Sequence, residues 1–285
     1  MKIIMIGHGM VGHKFIESVL EHVGDDVEIT ILAEEPRLAY DRVHLTEYFS
    51  GKSAKDLTLC RADFADAYGI DLRLNTKAVA IDQSHKTVTT NHGDVLSFDK
   101  LILATGSYAF VPPISGNDRE NCFVYRTIED LDAIRAASLN AKSGVVIGGG
   151  LLGLEAAKAL RDLNLETHVV EFAPRLMAVQ IDDLGGKVLR AKIENLGVKV
   201  HTQKATSSIE EGATTKHVMK FGDGSELETD IILFSAGIRP RDELARQSGL
   251  ALGERGGIMI NDYCQTSNPD IYAIGECALW QNKIY

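Results

Sequence analysis

The sequence has no closely spaced pair of cysteines. Its four cysteines, Cys60, Cys122, Cys264 and Cys277, are scattered along the chain, and none lies in a C-x-x-C motif or at a metal-ligand spacing. A dithiol that exchanges electrons needs two neighbouring sulfurs. We therefore expect no redox-active disulfide and no metal site, and we expect the four thiols to behave as small apolar side chains.

The sequence also lacks a long apolar run and an excess of basic residues. No run approaches the roughly 20 residues of a transmembrane helix, and the first strand pattern begins at Lys2, which leaves no room for a signal peptide. The 30 basic and 40 acidic residues give a net charge of −10. This balance disfavours nucleic acid and anionic membranes as partners. We expect a cytoplasmic protein of two domains, because 285 residues exceed one domain of ordinary size.

Two glycine fingerprints of the form G-x-G-x-x-G are present instead. Each follows a short apolar run typical of a buried strand and opens a pattern typical of an amphipathic helix. The first glycine makes the tight turn, the second lets backbone N–H groups approach a pyrophosphate, and the third lets helix and strand pack closely. Two such motifs predict two bound dinucleotides, of which the usual pair is a flavin and a nicotinamide. The glycines are Gly7, Gly9 and Gly12 in the first motif, and Gly148, Gly150 and Gly153 in the second.

Each fingerprint has an acidic residue about 20 positions further on, at the end of the next strand pattern. These residues are Glu34 and Glu171. A carboxylate there accepts hydrogen bonds from the adenosine ribose and repels a 2′-phosphate, so Glu171 favours NAD over NADP. Arg175 lies nearby and weakens that inference, since a guanidinium can accommodate a phosphate.

The order of patterns predicts an α/β fold with a repeated architecture. Alternating runs over 78–98 and 204–229 predict antiparallel meanders that follow each nucleotide-binding half. We expect two Rossmann-like domains, each a parallel sheet with a meander, and the second inserted into the first. The expected bounds are 1–112 and 241–285 for an FAD-binding domain and 113–240 for an NADH-binding domain.

These motifs resemble the two-dinucleotide flavoprotein reductases, the family that contains ferredoxin, rubredoxin and disulfide reductases. The resemblance covers nearly the whole chain and includes ATGS at 104–107, SAGIRP at 235–240 and PDIYAIGECA at 269–278. It implies that the backbone of Ala78 contacts adenine and that Glu276 approaches the flavin ribityl chain, where the family usually has aspartate. It also places Glu155 near the nicotinamide.

Several segments are more specifically similar to the N-terminal flavin module of the large subunit of NADH-dependent nitrite reductases. They include EEPRLAYDRVHLTEYFSG, FVYRTIEDL and EFAPRLMA. The resemblance implies that electrons pass from NADH to FAD, then to an iron–sulfur cluster and siroheme outside this chain, for reduction of nitrite to ammonia. The implied partner is a downstream domain of the same polypeptide or a small electron-transfer protein. Two alternatives stay open: a free-standing NADH:rubredoxin or ferredoxin reductase, and a redox-inactive nucleotide-binding module.

The fingerprints and the resemblance together give a set of expected site residues, with no catalytic acid or base, because the cofactors carry the chemistry. The usual lysine beside flavin N5 is Glu47 here, and the position of a reactive cysteine in some relatives is near His44. The residues expected at FAD are Gly7, Gly9, Met10, Val11, Gly12, Glu34, Glu35, Arg42, Ala78, Ala104, Thr105, Gly106, Gly275 and Glu276. Those expected at NADH are Gly148, Gly150, Leu151, Leu152, Gly153, Glu155, Glu171, Arg175 and Gly237.

The end of the sequence gives a further expectation. In the resembling family, PDIYAIGECA precedes a helix that faces the flavin and a smaller domain that forms a dimer contact, whereas only residues 279–285 follow it here. We therefore expect a fragment of a longer chain that binds FAD weakly. The resemblance also allows a homodimer.

Overall fold

Two five-stranded parallel sheets organise the chain. The computed structural model describes residues 1–23 and 26–284, and its residues form two compact units. Unit 1 comprises Met1–Arg42, Lys55–Tyr108 and Arg239–Tyr285, and unit 2 comprises Val43–Ala54 and Ala109–Ile238. Tyr285, which ends the expected first domain, lies outside the described residues.

The helices and strands follow the expected alternation. A 3-10 helix spans Leu45–Tyr48 and another spans Gly275–Cys277. In chain order the elements are β1 Lys2–Ile6, α1 Met10–Val23, β2 Glu28–Leu32, α2 Phe64–Ala67, β3 Asp71–Arg73, β4 Ala78–Asp82, β5 Thr87–Thr90, β6 Val95–Ser97, β7 Lys100–Leu103, β8 Ser107–Ala109, β9 Cys122–Val124, α3 Ile128–Ser138, β10 Ser143–Ile147, α4 Leu151–Asp162, β11 Glu166–Val170, α5 Asp183–Asn195, β12 Val198–His201, β13 Thr206–Glu211, β14 His217–Phe221, β15 Glu226–Thr229, β16 Ile231–Phe234, β17 Ile238–Pro240, α6 Glu243–Gln247, β18 Ile258–Met259, β19 Ile271–Ala273, β20 Ala278–Trp280 and β21 Lys283–Ile284.

Unit 1 is built on a parallel sheet with the strand order β19-β7-β1-β2-β3. The central strand β1 reads KIIMI and is buried from its second residue onward, as a parallel strand covered on both faces requires. Strands β4, β5 and β6 form the expected antiparallel meander. Because parallel strands end at one edge, the residues after β1, β2, β7 and β19 share the carboxyl edge of this sheet.

Unit 2 repeats this plan with the strand order β12-β11-β10-β16-β9. Its central strand β10 is buried from Gly144 to Ile147, and β16 is buried throughout. Strands β13, β14 and β15 form the second meander. Helix α3 begins with a capping box in which Thr127 and Asp130 satisfy each other's backbone N–H groups.

Some element bounds differ from those expected. The sequence pattern over 61–69 predicts a helix, but the helix is confined to Phe64–Ala67, since the chain enters a positive φ of 63° at Gly69. The apolar run over 99–107 predicts one strand, but that strand ends at Leu103. The short strand β9 and helix α6 carry too little periodicity to be predicted. Among the described residues, no helix is both long and apolar enough to cross a membrane.

The unit bounds also differ from the expected domains in one informative place. The junctions near residues 108 and 238 lie within a few positions of the expected ones, but Val43–Ala54 packs with unit 2, although the chain on both sides of it belongs to unit 1. Sequence order alone would group this segment with unit 1, but its side chains bond to helices of unit 2.

Candidate nucleotide-binding sites

The first glycine fingerprint forms a tight turn between β1 and α1. Gly7 has a φ of 103°, and a Cβ on it would lie 2.2 Å from the carbonyl oxygen of Ala104. A Cβ on Gly12 would lie 2.7 Å from the carbonyl oxygen of Gly7, so the helix can pack this closely only without a side chain. Around Gly9, no described atom lies within 4 Å of the Cβ position.

The second fingerprint has the same geometry between β10 and α4. Gly148 has a φ of 123°, and a Cβ on it would lie 2.2 Å from the carbonyl oxygen of Ser235. A Cβ on Gly153 would lie 2.0 Å from the carbonyl oxygen of Gly148. The Cβ position of Gly150 again has no described atom within 4 Å.

This geometry fits a pyrophosphate at each turn. In both motifs the outer glycines are required by contacts inside the protein, whereas the middle glycine faces open space where a side chain would meet a ligand instead. The helix that follows points its N-terminal N–H groups towards the same place, and its dipole favours negative charge there. The residues of both turns therefore fit the dinucleotides that the sequence predicts.

Glu34 lies at the carboxyl edge of the unit 1 sheet between two cations. Its carboxylate is 3.1 Å from Lys77 Nζ and accepts a hydrogen bond of 2.8 Å from Arg241 Nη1. Burial alone would raise the pKa of Glu34, but the hydrogen bonds and charges of Lys77 and Arg241 outweigh it and lower the pKa. Glu34 is therefore ionised at neutral pH and able to accept hydrogen bonds from a ribose.

Glu35 and Arg42, both expected at FAD, are paired with each other. Arg42 Nη2 donates to Glu35, whose other oxygen accepts a hydrogen bond of 2.8 Å from Tyr40 Oη. The guanidinium lies over the Tyr40 ring at 4.6 Å, and the Arg42 backbone N–H donates to Met10 Sδ at 3.4 Å. A flavin phosphate contact by Arg42 would have to coexist with this ion pair.

Thr105 and Ser107, which lie after β7, donate hydrogen bonds to residues much further along unit 1. Thr105 Oγ1 donates to the carbonyl oxygen of Arg241 at 2.6 Å, and Ser107 Oγ donates to Glu276 Oε2 at 2.8 Å. Gly275 has a φ of 75°, and a Cβ on it would lie 3.3 Å from Val11. The longer side chain of Glu276 is thus held by Ser107, which the sequence did not predict.

Glu171 lies at the corresponding edge in unit 2. Its two carboxylate oxygens accept hydrogen bonds from the backbone N–H groups of Gly149, at 2.6 Å, and Ala173, at 2.7 Å. Each oxygen has a second lone pair, so both can still accept from a ribose hydroxyl. A Cβ on Gly149, a glycine absent from the expected set, would lie 2.6 Å from the side chain of Leu176 and 3.0 Å from Glu171 Oε2, so it would press on both side chains.

Arg175 is committed to its own loop. Its Nε donates to the Ile181 carbonyl at 3.0 Å, Nη2 donates to the Ala178 carbonyl at 3.1 Å, and Nη1 pairs with Asp183 at 2.6 Å. These bonds use three of the five guanidinium N–H donors, so a 2′-phosphate would have to share Arg175 with its loop partners.

Glu155 lies within α4 and is half-buried. Burial raises its pKa, and the nearby His44 partly opposes that shift. Tyr125 follows β9, and burial raises the pKa of its hydroxyl to about 12, so it stays protonated at neutral pH.

For the remaining expected residues, the structure gives position, exposure and backbone conformation. Ala78 is buried at the start of β4, and Gly106 and Gly237 have φ values of 70° and 110°. Leu151 and Leu152 are exposed at the start of α4. Within the described ranges, no group of three or more histidine, cysteine, aspartate or glutamate side chains is placed to hold a metal ion.

With this geometry established, comparison with known proteins decides the family. The model of the pyridine nucleotide-disulphide oxidoreductase family matches residues 1–285. The chain belongs to this family. The expected α/β fold with two dinucleotide-binding units and the expected flavoprotein reductase class are thereby confirmed, and the family's chemistry implies a flavin together with NAD(H).

Individual relatives are more specific. The chain is 54% identical over 286 residues to the nitrite reductase (NADH) large subunit of Escherichia coli K12, covering 100% of this chain and 34% of that protein. It is 56% identical to the nitrite reductase [NAD(P)H] large subunit of Klebsiella oxytoca, covering 99% of this chain and 30% of that protein. The chain thus spans about a third of the length of these curated relatives.

A solved structure shows the same fold. An NAD-dependent persulfide reductase from A. fulgidus superposes with a TM-score of 0.91 at 31% identity, covering 98% of this chain and 53% of that one. Separately, the sequence identities to the two nitrite reductase large subunits confirm the resemblance that the segments indicated.

Proposed function

We propose that this chain is the FAD- and NADH-binding reductase module of an NADH-dependent nitrite reductase. The observation that carries the proposal is the identity of 54% along the whole chain to a nitrite reductase (NADH) large subunit. The two fingerprint turns support it, because each leaves its middle glycine open where a pyrophosphate would approach. We assign FAD to unit 1 and NADH to unit 2.

When bound, FAD supplies the acceptor for the hydride of NADH and releases electrons one at a time. In unit 1, the Gly7–Gly12 turn and the N-terminus of α1 would hold its pyrophosphate, Glu34 its ribose and Glu276 its ribityl chain. In unit 2, the Gly148–Gly153 turn would hold the pyrophosphate of NADH, and Glu171 would accept from its adenosine ribose. Glu155 would lie at the nicotinamide. The protein thus contributes binding and orientation, without an acid or base of its own.

The final acceptor lies outside this chain. We propose that electrons continue to an iron–sulfur cluster and siroheme in further domains of the polypeptide, where nitrite is reduced to ammonia. A small electron-transfer protein is the alternative partner. The use of NADH leads us to propose the cytoplasm as its location, and a homodimer stays a prediction.

The test uses the full-length polypeptide under anaerobic conditions. We expect NADH oxidation that depends on nitrite and yields ammonia, with three NADH consumed per nitrite because the reduction needs six electrons. Oxidation of NADH that ignores nitrite but reduces added rubredoxin or ferredoxin would contradict the proposal and support the free-standing reductase. For residues 1–285 alone, reconstituted with FAD, NADH should abolish the absorption band of oxidised flavin; no bleaching would refute the reductase assignment.

A further inference from the structure

Two histidines on neighbouring strands of unit 2 are bonded to each other, and we call them the histidine pair. His168 lies in β11 and is buried, and His201 is the last residue of β12. His168 Nδ1 and His201 Nε2 are 3.0 Å apart, and the two ring planes differ by only 4°. Because β12 is an edge strand of the five-stranded sheet, this side-chain bond joins the edge to the strand beside it.

Glu166 sets the direction of this bond. Its Oε1 lies 3.3 Å from His168 Nε2 and also pairs with Lys199, and the hydrogen bond and charge of Lys199 lower the pKa of Glu166. The ionised carboxylate can only accept, so His168 Nε2 carries a proton and Nδ1 of the neutral ring is an acceptor. His201 Nε2 therefore carries a proton as well and donates it to His168.

His201 also reaches the nucleotide edge of unit 2 through its backbone. Its carbonyl oxygen accepts a hydrogen bond of 2.8 Å from the backbone N–H of Glu171. The Lys204 N–H donates to the Glu171 carbonyl oxygen at 3.1 Å, and the Gln203 N–H donates to the Ala173 carbonyl oxygen at 3.0 Å. The end of β12 and the residues after it thus hold the backbone of Glu171.

The charged groups around the histidine pair keep it neutral. On α5, Arg190 pairs with Glu194 at 2.9 Å, and after β12, Lys204 pairs with Asp223 at 2.5 Å. Burial lowers the pKa of both histidines, and at the histidine of the edge strand these two cations and Lys199 lower it further. The neutral pair, with one proton between the two rings, is therefore the form present at neutral pH.

We propose that His168 and His201 are positioning residues: the bond between them clamps β12 to β11 and so holds Glu171 where it accepts the 2′-hydroxyl of the adenosine ribose. The proposal rests on the proposed function, which places that ribose at Glu171. One added proton keeps the clamp, since a charged His201 still donates to a neutral His168. A second proton leaves two donors facing each other, so the clamp holds at neutral pH and opens on acidification.

The experiment measures, by calorimetry, the dissociation constants of ADP-ribose and of its analogue that lacks the adenosine 2′-hydroxyl. The protein is first reconstituted with FAD, so that the first fingerprint is occupied. The ratio of the two constants reports the hydrogen bond to Glu171. The variants are His201→Phe and His168→Phe, which keep a flat ring but remove the bond, and His201→Gln, whose amide N–H can still donate. The control is His85→Phe, the same change at an exposed histidine of unit 1.

At neutral pH, we expect the native protein to bind ADP-ribose about tenfold more tightly than the analogue, as a hydrogen bond to a charged group allows. His201→Phe and His168→Phe should each reduce this ratio to about two- to threefold, because Glu171 is no longer fixed in advance. His201→Gln and His85→Phe should keep the native ratio.

Acidification gives a second readout. As the pH falls below 6.5, the ordinary pKa of histidine, the native ratio should fall towards that of His201→Phe. His201→Gln should keep its ratio to lower pH, because its amide can turn and accept from a protonated His168.

NMR of the imidazole nitrogens tests the bond in the native protein without any variant. At neutral pH, both histidines should be neutral with the proton on Nε2, and a coupling should connect His201 Nε2 with His168 Nδ1. Two rings without this coupling, titrating independently, would overturn the clamp.

Two results of the binding experiment would also overturn the proposal. One is an unchanged ratio in both phenylalanine variants, even if both ligands bind more weakly, since that would indicate a purely structural role. The other is the same loss in His201→Gln as in His201→Phe. A native protein that binds no NADH, or that binds ADP-ribose and the analogue equally, would instead refute the proposed function at Glu171. The two failures are therefore distinguishable.

Discussion

The carboxylate of Glu171 accepts a 2.6 Å hydrogen bond from the backbone N–H of Gly149, inside the second fingerprint. The acidic strand end and the glycine turn are thus bonded directly to each other. A charged hydrogen bond of this kind fixes both the direction of the carboxylate and the path of the turn. A 2′-phosphate approaching this edge would meet a fixed negative charge.

We therefore predict that the protein binds NADH about 10- to 100-fold more tightly than NADPH, since a charge–charge clash in a partly desolvated site costs about 1–3 kcal/mol. Glu171→Gln should narrow this preference while keeping the bond to Gly149. Measured dissociation constants of both nucleotides check this, with the exposed Glu211→Gln as control. Equal or tighter NADPH binding by the native protein would contradict it and would point to Arg175 as the residue that accommodates the 2′-phosphate.

The two kinds of glycine in the second fingerprint should respond differently to one added methyl group. Gly148→Ala places a Cβ 2.2 Å from the Ser235 carbonyl at a φ of 123°, and we expect it to lower the free energy of unfolding by about 1–3 kcal/mol or more. Gly150→Ala has open space and should unfold like the native protein but bind NADH more weakly. Chemical denaturation and calorimetry on both variants check this. If Gly150→Ala loses stability and Gly148→Ala does not, the structural role assigned to Gly148 and the nucleotide-facing role assigned to Gly150 are wrong.

His8 should make the protein sensitive to acid. It lies between Gly7 and Gly9 and is buried. Neither ring nitrogen has a hydrogen-bond partner among the described residues. Burial, with a contribution from His13, lowers its pKa from 6.5 to about 4. The unfolded chain therefore takes up the proton first, and native stability falls as the pH drops from 6.5 towards 4, by about 3 kcal/mol from this residue.

Denaturation curves at several pH values check this prediction. The free energy of unfolding of His8→Gln should fall less on acidification than that of the native protein. His92 is exposed, so His92→Gln should lose as much stability as the native protein. If the free energy of unfolding falls equally with pH in the native protein and in His8→Gln, His8 does not cause the acid sensitivity.

The cysteines should take no part in electron transfer. All four are free thiols in the structure, and Cys277 is buried with its Sγ 3.3 Å from the Leu103 carbonyl oxygen. When the denatured chain is alkylated, the number of thiols that react should be the same with and without prior reduction by NADH. Alkylation of the native protein should spare Cys277, because burial also raises its pKa. Two additional thiols after NADH would demonstrate a redox-active disulfide.

Much of the fold was predictable because it rests on local, repeated signals. The fingerprints fix strand, turn and helix by sterics that glycine alone satisfies, as at Gly7 and Gly148. The meanders follow period-two alternation. The short elements β9 and α6 were missed, since three to five residues carry too little periodicity.

The side-chain partners could not be predicted in the same way. Arg241 reaches Glu34, and Ser107 reaches Glu276, across separations of more than 160 residues. Local sequence patterns cannot predict pairs at such separations. The segment Val43–Ala54 is the clearest example, because its side chains bond to Asp132 and Arg135 in a helix far along the chain.

The central claim is that one chain holds two different dinucleotides, FAD at the first fingerprint and NADH at the second. The direct test is calorimetric titration of FAD and NADH into the native protein and into Gly9→Val and Gly150→Val, which fill the two open Cβ positions. We predict that Gly9→Val loses FAD and retains NADH, and that Gly150→Val loses NADH and retains FAD. Loss of the same nucleotide in both variants, or of neither, would contradict the account.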